Sequence, residues 1–267
     1  LTLKPNKALG QSFLRDPETA RRIAASLPTD LPVLEIGCGD GFLTEALLSA
    51  GHRVLGVEID ASWIPKLLRR IHHHPNFQLV ATDALKIDWE ALGRDQGRLQ
   101  VAGNLPYHLA STILFDIFDR SREPDFSVTK VVTMVQREVA ARLTAATDDD
   151  DYGSLTLLTR YHAESRFLFR VPATLFHPRP RVDGGVIELT LRNASALPNV
   201  AYYHFRRIVR GCFAQRRKML RNAIRIVNDL PDGWEDLPFD YTRRAEQVSF
   251  EEYLDLTHKL VALGFKP

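Results

Sequence analysis

The stretch Val33-Leu34-Glu35-Ile36-Gly37-Cys38-Gly39-Asp40-Gly41-Phe42 decides the fold. A short, mostly apolar run reads as a buried strand, and three glycines at alternate positions let the backbone turn tightly and approach a ligand closely. Helical spacing then begins at Phe42, and a helix N-terminus offers free N–H groups and partial positive charge. The pattern is G-x-G-x-G followed by Phe42. A dinucleotide-binding loop would have its last glycine where Phe42 stands, which counts against a nicotinamide enzyme.

Outward from this loop, apolar strands alternate with helical patterns. Strands are expected at Pro32–Ile36, Arg53–Glu58, Phe77–Ala81, Leu99–Gly103 and Lys130–Gln136. Helices are expected at Pro17–Ser26, Phe42–Ala50, Ala61–Ile71, Ser111–Asp119 and Arg137–Ala145. This alternation predicts βαβ units and a mostly parallel, doubly wound α/β sheet. Arg166–Val171 and Gly185–Leu191 are β-rich with no clear helix between them, so they read as a hairpin-type addition around a proline-rich loop. The acidic run Asp148–Asp151 reads as a solvated loop, and the three histidines His72–His74 as surface rather than a metal site.

From Tyr202 the apolar residues fall at helical spacing (Phe205, Ile208, Val209, Cys212, Phe213, Leu220), as one helix or two broken near Gln215. A last helix is expected at Phe250–Leu263, with Ser249 as its cap. The chain therefore divides into residues 1–192, an α/β domain, and residues 193–267, a small all-helical domain.

Charge sharpens that division. The net charge of the 267-residue chain is only +2, yet His204 to Arg225 holds Arg206, Arg207, Arg210, Arg216, Arg217, Lys218, Arg221 and Arg225 without one acid. Such a concentration on a near-neutral body suggests a polyanion footprint. No stretch approaches the ~20 apolar residues of a membrane span. Leu1–Arg15 mixes lysines, a proline and polar residues and reads as no signal segment. Cys38 and Cys212 are far apart and form no metal-spacing motif, so a cytoplasmic setting without metal is expected.

Four strand ends carry the chemistry. After the glycine loop, the next strand ends at Glu58, whose carboxylate can accept both hydroxyls of a ribose. The third ends at Thr82-Asp83-Ala84, and Asp83 can accept from the amino group of an adenine. The fourth runs into Asn104-Leu105-Pro106-Tyr107, which can grip a planar group bearing an exocyclic amine. Its Asn oxygen and a neighbouring carbonyl accept from the NH2, and the Tyr ring stacks. Ligands bind at the carboxyl ends of strands in open α/β sheets.

With these residues in order, the chain resembles the KsgA-type small-subunit (16S) ribosomal RNA adenine N6,N6-dimethyltransferases over nearly its whole length. Lys7-Ala8-Leu9-Gly10-Gln11-Ser12-Phe13-Leu14 is similar to the segment that closes over the methionine end of the cofactor. Gly37, Gly39 and Gly41 match the cofactor loop, and Asn104–Tyr107 matches the catalytic motif. Phe176-His177-Pro178-Arg179-Pro180-Arg181-Val182-Asp183 matches a downstream F-x-P-x-P-x-V-D element. Phe213–Lys218 with Leu220-Arg221-Asn222 matches the C-terminal signature. Gly184-Gly185 departs from the family's usual Ser after the V-D pair.

The resemblance implies a Rossmann-like S-adenosylmethionine methyltransferase domain with a helical RNA-recognition domain. It implies cofactor contacts from Ser12, Leu14, Gly37, Gly39, Glu58, Asp83, Ala84 and Asn104, and catalysis by Asn104, Leu105, Pro106, Tyr107 and Phe176. The last would stack on the target base opposite Tyr107; without the resemblance, Phe176 reads as a loop aromatic anchoring the proline-rich turn. RNA contacts would come from Arg179, Arg181, Arg210, Arg216, Arg217, Lys218 and Arg221. The implied partner is 16S rRNA in an immature small subunit, bound by a monomer. An Erm-type large-subunit enzyme shares the core, but the Phe213–Lys218 string and helical C-terminus favour the small-subunit family. From another class, the alternative is a ribosome assembly factor whose binding outweighs catalysis.

Overall fold

Seven strands form one mixed sheet in a computed structural model that describes residues 10–198 and 200–266. In chain order the elements of the first unit are β1 (Phe13–Leu14), α1 (Pro17–Ala25), β2 (Val33–Ile36), α2 (Phe42–Ser49), β3 (Val54–Val57), α3 (Ile64–Arg70), β4 (Phe77–Val80), α4 (Trp89–Gln96), β5 (Leu99–Asn104), α5 (Ala110–Arg120) and β6 (Val128–Gln136). After α6 (Arg137–Thr144) and α7 (Ser154–His162) come β7 (Ala163–Val171), β8 (Phe176–His177) and β9 (Gly184–Leu191). The sheet order is β4-β3-β2-β5-β6-β9-β7. The first five strands are parallel; β9 lies antiparallel between β6 and β7. The expected doubly wound sheet and its antiparallel addition are both present.

Local chemistry sets the element ends. Asp16 caps α1, accepting from the Thr19 amide at 2.8 Å and hydroxyl at 2.6 Å, and these bonds lower its pKa. Pro17 follows where its missing N–H costs nothing. In α5 the apolar residues Ala110, Ile113, Leu114, Ile117 and Phe118 form one buried stripe at helical spacing. The strand β2 is covered on both faces, so all four of its residues are buried, Glu35 included.

Two helices escape the sequence pattern. In α4, Trp89-Glu90-Ala91-Leu92-Gly93 has little apolar period; the helix is held by its Asp88 cap and by the Trp89 indole donating to Asp116 at 2.9 Å. In α7, two threonines interrupt the leucines, and Thr156, Leu157, Leu158, Thr159, Tyr161 and His162 are all buried. A helix covered nearly all round shows no amphipathic signal.

The chain's division differs from the expected 1–192 and 193–267. The first unit comprises residues up to Ala140 with Ala163–Ser195; the second comprises Ala141–His162 with the residues from Ala196 onward. The second unit contains α7, α8 (Tyr202–Ala214), α9 (Leu220–Ala223) and α10 (Phe250–Ala262). Segment 141–162 belongs there because Tyr161 donates to the Val200 carbonyl at 2.6 Å and packs on Tyr202 and Phe205, while Tyr152 donates to the Val248 carbonyl at 2.9 Å. The helical pattern from Tyr202 does break at Gln215, giving α8 and α9. Ser249 caps α10 in a reciprocal box with Glu252.

Candidate functional site

The parallel strands β2, β3, β4 and β5 all end at one cavity of about 710 Å³. Gly37 and Gly39, Glu58, Asp83 with Ala84, and Asn104, Leu105, Pro106 and Tyr107 line it, as does Ser12. Arg179 and Arg181 complete the wall from the loop after β8, and both are exposed.

The glycine loop is shaped by its neighbours. Gly37, Gly39 and Gly41 all have positive φ, of 79°, 53° and 83°. Among the described residues, a Cβ on Gly37 would meet no atom within 4 Å, whereas one on Gly39 would sit 2.6 Å from the Phe13 ring. Gly39→Ala is expected to lower stability by about 1–2 kcal/mol, through strained φ and displacement of Phe13, measurable by thermal unfolding.

Glu58 is held on both sides. Its Oε2 accepts from the Gly39 amide and its Oε1 from the Asp60 amide, each at 2.7 Å, with the residue only 6% exposed. A carboxylate has about four lone-pair sites, so two remain for a ligand. Asp83 caps the turn Ala84–Lys86 through the Leu85 amide at 3.0 Å. Apolar surface flanks these acids: Ile59 and Leu85 line the cavity while 54% and 42% exposed.

Asn104 closes the far end. Its Nδ2 donates to the backbone carbonyl of Ser12 at 2.7 Å. A carbonyl only accepts, so the amide nitrogen must face it, and Oδ1 is turned elsewhere. Ser12 is itself fixed: its hydroxyl donates to the Pro178 carbonyl at 2.7 Å, and β1 pairs antiparallel with β8, Phe13 opposite His177 and Leu14 opposite Phe176. No backbone amide outside the regular elements donates to the Leu105 carbonyl among the described residues. The Tyr107 phenol is pushed up to about 12, chiefly by burial with Asp183 adding, so it stays neutral.

Two expected site residues lie elsewhere. Phe176 does not line the large cavity; it is 5% exposed and packs in the core cluster, so its aromatic ring anchors the turn after β7. Leu14, its pairing partner, belongs to the same cluster and borders a second, smaller cavity rather than the large one. The residues Lys7-Ala8-Leu9 lie outside the described residues. Sequence reasoning missed Ile59 and Leu85, whose signal was an apolar residue beside a strand-end acid with no core to join. It also missed Gln11, which donates to Asp60 at 2.9 Å and accepts from the Trp63 indole at 3.2 Å.

In the second unit the basic run separates into two classes. Arg207 pairs with Asp229, Arg216 with Glu246 at 2.5 Å, and Arg225 with Glu235. Arg206, Arg210, Arg217, Lys218 and Arg221 form no ion pair among the described residues, and all but Arg206 are exposed. The expected contact Arg216 is therefore engaged within its own unit.

Known proteins resemble this chain in sequence and fold. The model of the family described as ribosomal RNA adenine dimethylase matches residues 2–260. A ribosomal RNA small subunit methyltransferase A from Saccharophagus degradans is 34% identical over 259 residues, covering 96% of this chain and 95% of that protein. Its namesake from Parabacteroides distasonis is 38% identical over 262 residues, covering 96% and 93%. Among solved structures, the 23S rRNA methyltransferase ErmE superposes with a TM-score of 0.69 at 27% identity, covering 93% of this chain and 99% of that one. A dimethyladenosine transferase from Plasmodium falciparum shares the fold, with a TM-score of 0.77 at 23% identity and coverage of 95% and 98%. With the family model spanning almost the whole sequence, the chain belongs to the ribosomal RNA adenine dimethylase family.

Proposed function

We propose that the chain dimethylates the exocyclic amino groups of two adjacent adenines in the 3′-terminal hairpin loop of small-subunit 16S rRNA, using S-adenosylmethionine, late in small-subunit assembly. The observation that carries this reading is the Asn104 amide. Its nitrogen is committed to Ser12, so its oxygen is the group offered to a substrate amine.

The residues fit the cofactor. Gly37 leaves space where any side chain would intrude, Glu58 keeps two lone-pair sites for ribose hydroxyls, and Asp83 stands where an adenine amine would reach. Ile59 and Leu85 supply the apolar walls for the heterocycle. S-adenosylmethionine, when bound, supplies a methyl group on a cationic sulfur that leaves readily. The chain's own task is to make a poor nucleophile competent. An adenine amine delocalises its lone pair into the ring. With one N–H donated to Asn104 Oδ1 and the other to the Leu105 carbonyl, the nitrogen is held pyramidal and its lone pair points into the cavity. Tyr107 stacks on the base, a contact worth ~1–3 kcal/mol. Positioning and fixed dipoles supply the rate, with no covalent nucleophile.

Arg179 and Arg181 at the cavity wall and Arg210, Arg217, Lys218 and Arg221 on the second unit bind RNA phosphates. The protein acts as a cytoplasmic monomer. Arg217 and Lys218 changed together to Glu weaken RNA binding and lower the slope of log affinity against log salt by roughly 1 per lost contact. Cofactor affinity stays unchanged. Arg225→Ala, whose charge Glu235 already neutralises, weakens RNA binding less.

The deciding assay supplies labelled cofactor with unmodified small subunits, large subunits and DNA, and maps the labelled base. Label on adenine amines of small-subunit RNA is expected. Label confined to large-subunit RNA moves the function to the Erm type, and label on none of them overturns the reading.

A further inference from the structure

Behind Asn104 lies a second cavity, of about 30 Å³, bordered by Phe13, Glu35, Gly37, Asp40, Asn104 and Met134 among others. That volume holds one or two water molecules. The sheet explains why a carboxylate faces it. Glu35 is paired with Ala102 across the parallel β2–β5 ladder. Side chains alternate along a strand, so Ala102, Asn104 and Glu35 stand on one face, with Asn104 one step further along.

Two polar groups bordering this cavity are incompletely satisfied. Glu35 is 1% exposed, and its Oε2 has no hydrogen-bond partner at normal distance among the described residues, although the Thr44 and Cys38 side chains stand near enough to the carboxyl to stabilise its charge. A buried, unpaired carboxylate oxygen costs free energy unless something donates to it. Asn104 has two amide N–H donors and gives one to Ser12. The third polar side chain, Asp40, is already bound to Arg15 at 2.6 Å, with Lys66 and Arg70 nearby.

We infer that Glu35 is a positioning residue for Asn104: a buried water in the small cavity accepts the second Asn104 N–H and donates to Glu35 Oε2. This rests on the catalytic reading of Asn104. The chain of bonds locks the amide plane and, with a carboxylate at its end, draws electron density toward Oδ1, where the substrate amine donates. Charge-assisted bonds are about twice as strong as neutral ones.

The surroundings make the device sensitive to pH. Burial pushes the Glu35 carboxyl up to about 7, with Glu58 and Asp40 adding repulsion and the Thr44 and Cys38 side chains pulling it back. Protonation below that value takes the charge from the end of the chain.

The test follows the side-chain amide signals of Asn104 by NMR in the cofactor-free protein from pH 5.5 to 8.5, assigned by their loss in Asn104→Ala. They are expected to titrate near neutrality, and to stop titrating in Glu35→Gln. Signals that do not move with pH, or that move equally in Glu35→Gln, overturn the inference. This measurement needs no methyl transfer, so its outcome is separate from that of the proposed reaction. In turnover, Glu35→Gln is expected to lower kcat about tenfold, to leave KM for RNA unchanged, and to abolish the acidic limb of the pH–rate profile. An unaltered kcat with the acidic limb intact also overturns it.

Discussion

Asn104→Ala lowers the kcat of methyl transfer by about 10²–10³-fold, with cofactor affinity changed by no more than a few-fold. The magnitude is that of removing one preorganised hydrogen-bond group from a site where charge develops, about 3–4 kcal/mol. The alanine leaves Ser12 without its donor, but that carbonyl belongs to a segment still held by the β1–β8 pair and by the Ser12 hydroxyl on Pro178. Binding therefore survives while the amine loses its acceptor. Asn104→Asp does not restore the rate. Its carboxylate keeps an acceptor for the substrate but sets a second oxygen against the Ser12 carbonyl, where the native nitrogen donates at 2.7 Å. Single-turnover kinetics beside calorimetric titration of the cofactor separates the two quantities. Wild-type turnover by Asn104→Ala refutes the mechanism.

Glu58→Ala has its largest effect on cofactor affinity, weakening it by about 100-fold or more. Each bond to a charged acceptor contributes about 1.5–3 kcal/mol, and two ribose hydroxyls lose theirs together. The free protein is affected as well. The amides of Gly39 and Asp60 both donate to this carboxylate, so its removal leaves two N–H groups at the loop without acceptors. That costs on the order of 2–3 kcal/mol of stability before any ligand is added. Glu58→Gln separates the contributions: one side-chain oxygen still accepts, while the amide nitrogen faces a donor. Titration calorimetry and thermal unfolding are expected to rank wild type above Glu58→Gln above Glu58→Ala. Equal cofactor affinity for all three removes Glu58 from the binding site.

The fold was legible where burial left a continuous apolar run or an apolar stripe at helical spacing. The strands expected at Pro32–Ile36, Leu99–Gly103 and Lys130–Gln136 are observed at Val33–Ile36, Leu99–Asn104 and Val128–Gln136, largely buried runs that composition alone marks as strands. The helix α7 was not legible, because a segment buried nearly all round has no polar face to set a phase. Missing it moved the domain division, since that segment joins the second unit. At the candidate site, the common location of the strand-end residues at one cavity was readable because loop position and side-chain type coincide. The orientation of Asn104 was not, since its partner is a backbone carbonyl, which every residue carries. Phe176 was misplaced for a related reason. An aromatic beside a proline-rich turn can serve the ligand or the core, and only the pairing of β8 with β1 turns it inward.

That pairing also orders events in time. Ser12 orients Asn104, but Ser12 is fixed by Pro178 and β1 by Phe176-His177, more than 160 residues downstream. A chain emerging from the ribosome carries its glycine loop, Glu58 and Asn104 long before it carries the strand that aligns them. Residues this distant meet only after large loop closures, which come late in folding. Methyl transfer competence therefore arrives with the last third of the polypeptide, and a nascent chain halted before Phe176 has the chemistry's parts without their alignment.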